Sequence, residues 1–372
     1  MKFEVNKGKL FEALQVAQNA VPNKTTLQVL NNFLFNLQGN ELEITATDLD
    51  LTIVIRLEVE GIQDGGIVVN AKKFLEVIRE LPDLPVNCVV DNDIVTIQSG
   101  ESFQCNIVGY GAEEYPGIPE DEDVENFSIQ GADLKFLFEN SSFAVSNDFT
   151  TRVSLTGVYW EYKDGELLMV GTDGHRFGKA WLPLDEFNMN KNVILPTRAI
   201  TQVLKIASGS TDAISVSLGK SNITFKIGTV TIISKCIEGP YPEYEKVIPQ
   251  KLSREIKVNK DELVSVLRRV ATMAHSKTRQ VKFAFEKDTL NLSARNIDMG
   301  GETKDTLPAN YSGKEIKVGF NSVYVLEVLK LIHTEEVRIK LNSNLGATIF
   351  EPDDDSANFF FIVMPLRLLE EE

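Results

Sequence analysis

The chain has 372 residues, 43% of them hydrophobic, which supports several packed cores and excludes global disorder. Its formal charge of −16 excludes a uniformly basic nucleic-acid binder and confines any phosphate-facing surface to a local cluster of Lys and Arg. No apolar run approaches the roughly 20 residues of a membrane-spanning helix. The charged start Met1-Lys2-Phe3-Glu4-Val5-Asn6 is unlike a secretory leader, so a cytoplasmic protein is expected.

The first predicted element is Phe3-Glu4-Val5-Asn6-Lys7-Gly8-Lys9-Leu10: alternating apolar residues, a polar turn, then a Leu that opens a helical pattern. Asn40–Thr45 alternates as a half-buried strand. Val69-Asn70-Ala71-Lys72-Lys73-Phe74 repeats the opening strand-to-helix step, continues as a helix through Val77 and Ile78, and leads to the alternating stretch Asp93–Ile97. Tyr115-Pro116-Gly117-Ile118-Pro119 and the acidic run Glu120–Asp123 read as a solvated connector. The opening pattern then returns at Phe127–Leu134 and at Ile256–Leu263. The later helix returns at Ile200-Val203-Leu204 and Val325-Val328-Leu329, and a second connector spans Tyr241–Pro249.

Two landmarks recurring about every 125 residues define an internal repeat. The expected organisation is three modules, at 1–122, 123–250 and 251–372. Each contains two halves of the form strand, helix, several strands. The fold class is therefore α+β, with two helices against antiparallel sheets in each module.

Chemistry-bearing motifs are few. Cys88, Cys105 and Cys236 lie far apart, as free thiols do, and His175, His275 and His333 are scattered, so neither a metal nor a cofactor is expected. Asp173, His175 and Arg176 share the segment Val170–Phe177 and raise a hydrolase reading based on general acid–base work. The competing reading is a tight Asp-Gly turn between two strands. With no nucleophile motif or phosphate-cradling loop nearby, a non-enzymatic protein is expected.

The segment Val170-Gly171-Thr172-Asp173-Gly174-His175-Arg176-Phe177 resembles the signature of bacterial sliding clamps, the beta subunits of DNA polymerase III holoenzyme. Met1-Lys2-Phe3, Ala46-Thr47-Asp48-Leu49-Asp50, Tyr241-Pro242-Glu243-Tyr244 and Val363-Met364-Pro365-Leu366-Arg367-Leu368 match as well, so the resemblance spans the whole chain. It implies a head-to-tail homodimeric ring of six modules that encircles double-stranded DNA without reading its sequence. The ring tethers the replicative polymerase alpha subunit, is opened by an ATP-driven clamp loader, and serves other polymerases and repair proteins through a short linear motif.

The resemblance also places the sites. DNA contact falls on Lys24, Lys72, Arg198, Lys277 and Arg279, with Phe149 where a polar residue is frequent. The dimer contact falls on the Phe103–Val108 strand, at Phe103 and Ile107, and on Thr272 and Met273. The peptide pocket is implied at Arg152, Leu155, Thr172, Gly174, His175, Arg176 and Phe177, and at Pro242, Lys246, Val247, Leu345 and Ala347. The final strand completes it with Val363, Met364, Pro365, Leu366 and Arg367. Lys246 replaces a frequent Arg, Leu345-Gly346-Ala347 replaces a serine-rich stretch, and the chain runs on into the acidic tail Leu369-Glu370-Glu371-Glu372, whose carboxylates are expected either to disfavour acidic peptides or simply to be solvated. An apolar floor of Leu155, Phe177, Val247, Val363 and Met364 suits a Leu or Phe anchor.

Overall fold

The computed structural model describes residues 1–119, 121, 124–148, 150, 152–184, 190–207, 213–296 and 300–368. The first module runs β1 (Lys2–Val5), α1 (Lys7–Ala17), β2 (Asn32–Gln38), β3 (Glu41–Thr47), β4 (Leu51–Glu58) and a short β5 (Glu60–Gln63). Its second half is β6 (Gly65–Asn70), α2 (Ala71–Glu80), β7 (Val86–Asp91), β8 (Ile94–Ser99) and β9 (Phe103–Val108). The middle module runs β10 (Glu125–Gln130), α3 (Gly131–Ser142), β11 (Gly157–Lys163), β12 (Glu166–Thr172) and β13 (Arg176–Pro183). Then come β14 (Val193–Pro196), α4 (Thr197–Ala207), β15 (Ala213–Leu218), β16 (Asn222–Ile227) and β17 (Val230–Lys235). The last runs β18 (Arg254–Asn259), α5 (Lys260–Ala271), β19 (Gln280–Glu286), β20 (Thr289–Asn296) and β21 (Gly301–Pro308). It closes with β22 (Ile316–Asn321), α6 (Ser322–Leu331), β23 (Glu336–Leu341), β24 (Thr348–Pro352) and β25 (Phe359–Val363). The half-module of strand, helix and following strands thus occurs six times.

Among the described residues, α1, α2, α5 and α6 start the same way. Asn6 follows β1, while Asn70, Asn259 and Asn321 end β6, β18 and β22, and each side-chain oxygen accepts from a first-turn N–H at 3.0–3.1 Å. This cap satisfies a donor that the helix cannot pair internally. The hairpins are equally local: Asn92-Asp93 and Asp164-Gly165 take positive φ at both residues, the mirror-image turn that matches strand twist.

The halves do not each form a sheet; they exchange lead strands. β1 pairs with β7 of the second half, while β6 pairs with β2 of the first. The other modules do the same, through β10–β15 and β14–β11, then β18–β23 and β22–β19. Each module therefore owns two half-sheets of four strands, each containing strands from both halves, with β5 added beside β1 in the first module.

Half-sheets of successive modules then join. β4 pairs antiparallel with β17, giving the eight-stranded order β10-β15-β16-β17-β4-β3-β2-β6. β13 pairs antiparallel with β25, giving β14-β11-β12-β13-β25-β24-β23-β18. A five-stranded sheet ending in β9 and a four-stranded sheet ending in β21 remain. The chain accordingly forms two compact units, one of Met1–Leu134 with Arg198–Cys236, the other of Lys135–Thr197 with Ile237 onward.

Both connectors are anchored by tyrosines. Tyr115 is buried, its hydroxyl accepts from Thr47 N and donates to Asn32 O, and burial pushes its phenol up to about 12. Tyr241 and Tyr244 play the matching part in the second unit.

Candidate functional site

In the second unit, the turn between β12 and β13 is held by its own side chains. Thr172 Oγ1 donates to Arg176 O at 2.8 Å and accepts from Gly174 N at 3.0 Å. Asp173 Oδ1 accepts from His175 N at 2.8 Å and from Arg176 N at 2.9 Å, while Gly174 supplies the required φ of +87°. The Asp173 carboxylate is spent on this bracket and on Arg176 Nε at 3.1 Å, and the His175 ring is exposed. This is the tight-turn reading.

Along the adjoining strands, side chains alternate between two faces. Phe177, Val170, Ile349 and Ile362 share a buried cluster with Tyr244, and Tyr159, Tyr241, Ile248, Ala347 and Met364 pack on it. The connector is pinned across this face: Tyr241 stacks on Tyr159 with centroids 4.7 Å apart, and the Tyr244 hydroxyl donates to Glu161. Desolvation, the largest cause, and the neighbouring Glu161 carboxylate hold the Tyr244 phenol well above its usual range. At the exposed margin Lys163 and Glu245 pair at 2.6 Å, which raises the amine's pKa and lowers the acid's.

Two expected pocket residues point elsewhere. Val363 belongs to the large core of the last module, so Ile362, one residue earlier, is the side chain on the cluster. A one-residue step along a strand changes face. Arg176 likewise points away from Phe177: its guanidinium pairs with Asp173 and with Glu327 on α6, over the rings of Tyr324 (5.0 Å) and Phe143 (5.8 Å).

The remaining pocket residues fall into groups. Thr172, Gly174 and His175 form the turn beside the cluster. The chain after β25 runs along it, with Met364 N donating to His175 O at 2.8 Å and Leu366 N to Gly319 O at 2.7 Å. This lays Pro365 and Arg367 on the same path, where Arg367 O accepts from the Gln280 amide. Pro242, Lys246 and Val247 lie on the pinned connector; Val247 is 51% exposed and Lys246 pairs with Glu243. Leu155 is buried in the turn Val153–Thr156. Continuing the Tyr159–Val170 register puts the following Gly157 level with Thr172. Leu345 and Arg152 are exposed, and Ala347 packs on the cluster.

Sequence reasoning missed Tyr159, Tyr241, Tyr244, Ile248 and Ile362. The available signal was the pair of tyrosines in an otherwise Pro- and Glu-rich connector, since large aromatics rarely serve a purely solvated linker.

Among the expected DNA-facing residues, Lys24, Lys72, Lys277 and Arg279 are exposed. Lys24 follows Asn23, which with Lys72 lines one cleft of the first unit. Arg198 is half-buried: it pairs with Asp48 and donates to Asn19 O at 2.7 Å, and desolvation lowers its pKa. Lys277 and Arg279 occupy the loop after α5, where His275 Nδ1 accepts from Lys277 N at 3.3 Å. Phe149, like the tail Leu369–Glu372, lies outside the described residues.

Of the expected dimer residues, Phe103 and Ile107 lie on β9, paired on one side with β8. Met273 covers Gly301 at the start of β21, the outer strand of its sheet, and Thr272 caps α5 beside it.

The modules thus join edge to edge, a face of packed aromatics lies beside the second join, and the acid of the adjoining turn is consumed by its own backbone. Family models for the N-terminal, central and C-terminal domains of the DNA polymerase III beta subunit match residues 1–119, 128–243 and 245–367. The beta sliding clamp of Vibrio cholerae is 30% identical over 99% of this chain and 100% of its own, and that of Escherichia coli K12 is 28% identical over 99% and 100%. The Pseudomonas aeruginosa sliding clamp bound to griselimycin superposes with a TM-score of 0.93 at 28% identity, covering 99% of this chain and 100% of that one. The Caulobacter crescentus protein gives 0.93 at 27% with the same coverage. The chain belongs to the DNA polymerase III beta subunit family. The hydrolase alternative gains no support from these relatives.

Proposed function

We propose that two copies close head to tail into a ring of six modules around duplex DNA, with β9 of each copy pairing antiparallel with β21 of the other. The carrying observation is the rule of the two joins. In each, the outer β12- or β3-side half-sheet of one module (β4, β13) pairs with the final strand of the next (β17, β25). The strands left in the equivalent positions are β21 of the last module and β9 of the first. Unpaired edges are a liability, and a head-to-tail contact with the right rotation removes both. Module boundaries near 122 and 250 fit this scheme.

DNA would be touched through Lys24, Lys72, Arg198, Lys277 and Arg279. Such phosphate contacts carry no sequence information and exchange easily, so a linked ring slides. Partners would dock a short linear motif on the face formed by Phe177, Ile362, Met364 and the Tyr241–Val247 connector. The polymerase alpha subunit, the loader, and other polymerases and repair proteins are the expected users, in the cytoplasm.

The two joins repeat closely: Lys235 N donates to Asp50 O at 2.9 Å as Met364 N does to His175 O, and Thr47 and Asp48 bracket their turn as Thr172 and Asp173 do. The positions equivalent to Val170 and Phe177 are Thr45 and Thr52, so an apolar anchor finds a floor at the second join and not the first.

Native mass together with retention on circular against linearised DNA tests the reading. A dimer lost from linear but kept on circular DNA is expected; a monomer at micromolar concentration, or equal retention on both, overturns it.

A further inference from the structure

A cleft of about 600 Å³ opens in the first unit between the segment after α1 and the start of α2. That volume lies in the range of small-ligand sites, about 300–1,000 Å³. Gln18, Gln28, Asn31 and Lys72 line it with Tyr110 and Glu114. The Gln18 amide oxygen is buried with no hydrogen-bond partner.

The internal repeat shows what is unusual about this lining. Tyr110 is bridged to Val68 by two backbone hydrogen bonds, and Lys72 follows the cap Asn70 by two residues. Their counterparts in the last module are Leu366, bridged to Gly319, and Val323, which follows the cap Asn321 by two. The backbone frame is the same in both places. Where the last module carries two aliphatic side chains, the first carries an ammonium and an exposed phenol ring.

We propose that this cleft holds one unpaired nucleotide of single-stranded DNA, with its base on Tyr110 and its phosphate at Lys72. A cation beside an aromatic face is how single strands are held without sequence preference, because every base has a π-face. Amide side chains both donate and accept, so Gln28 and Asn31 can meet base edges of any kind. A duplex cannot use the site, since its bases are stacked and paired. Glu114 repels a second phosphate and limits occupancy to a single nucleotide. An acidic peptide would meet the same repulsion and has no flat ring to offer Tyr110. The inference rests on the DNA-binding reading through Lys72 and is independent of the partner face.

The test uses the full chain, a short fluorescein-labelled oligothymidylate and fluorescence anisotropy at moderate salt. Tyr110→Ala should weaken binding by about five-fold or more, from the lost stacking, and Gln28→Ala by a smaller factor. Glu114→Gln should tighten it, a gain that misfolding cannot produce. Retention of the same variants on circular duplex, measured in parallel, should match the unmodified chain, which separates failure of this site from failure of ring closure. Tyr110 is 51% exposed, so its truncation leaves the core intact. Unchanged anisotropy curves for both Tyr110→Ala and Glu114→Gln would overturn the proposal, as would displacement of the oligonucleotide by an acidic peptide.

Discussion

Replacing Arg176 by Met keeps an unbranched stem against Phe143 and Tyr324 but removes the charge. In the native chain that guanidinium is 11% exposed and joins Asp173, 14% exposed, to Glu327, 42% exposed. The Asp173 arm, sheltered and charge-assisted, contributes about 1–1.5 kcal/mol. The Glu327 arm is discounted for solvent to about 0.5 kcal/mol, and the two ring contacts add about 0.5 kcal/mol each. Asp173 is not orphaned, because two backbone N–H groups still reach it. The expected loss is therefore about 2.5–3 kcal/mol, at or below the roughly 3–5 kcal/mol of a stranded buried charge. For a unit of this size that lowers Tm by roughly 5–10 °C. Urea unfolding and thermal melts give the reading, with Glu327→Gln as a control expected to cost about 0.5 kcal/mol. If Arg176→Met unfolds within 0.5 kcal/mol of the unmodified chain (about the spread of a surface substitution), Arg176 is not a strut between the turn and α6.

Four further outcomes are expected. Ile107→Asp with Met273→Glu should give monomers in sedimentation, and Cys105 on β9 should react with maleimide faster in those monomers than in the assembled protein. Lys24→Glu with Lys72→Glu should weaken duplex binding and flatten its dependence on log salt by about two units, with no change in melting because both side chains are exposed. Val247→Asp should abolish binding of a Leu- and Phe-bearing polymerase peptide while the fold melts normally; native affinity would remove the connector from the partner site. Burial pushes the Cys88 and Cys236 thiols from 9.0 up to about 12. The fold therefore favours the neutral thiol, and this stability is complete below pH 9 and lost as pH rises toward 12. Alkaline melts should fall over that window, and Cys88→Ala should flatten part of the fall.

The triple repeat was legible because its landmarks are local. Val5-Asn6, Val69-Asn70 and Val258-Asn259 each write a strand end and a helix cap in adjacent residues. The exchange of lead strands was not, because nothing in Lys2–Val5 specifies β7 over β2 as its neighbour; that choice is made by long-range packing. The proposed partner face was half legible for a related reason. A motif fixes the order of Ile362, Val363 and Met364, whereas the face each side chain takes depends on pairing with β13. Arg176 read as a pocket residue because Glu327, which draws its guanidinium toward α6, lies more than a hundred positions away in sequence, and Tyr115 and Tyr244 were hidden by the prolines and acids around them.

The join between β4 and β17 sets a timetable for synthesis. β4 at Leu51–Glu58 can pair with β3 at once, but its other edge must wait for Val230–Lys235 to leave the ribosome. At about 5–20 residues per second that is roughly 10–35 s of an exposed, largely apolar edge. During that interval β4 of one nascent chain is as good a template for a neighbour's β17 as for its own, so chains made close together on one message risk trading strands. Slowing or pausing translation between the two segments should increase the yield of swapped oligomers without altering a single contact in the finished protein.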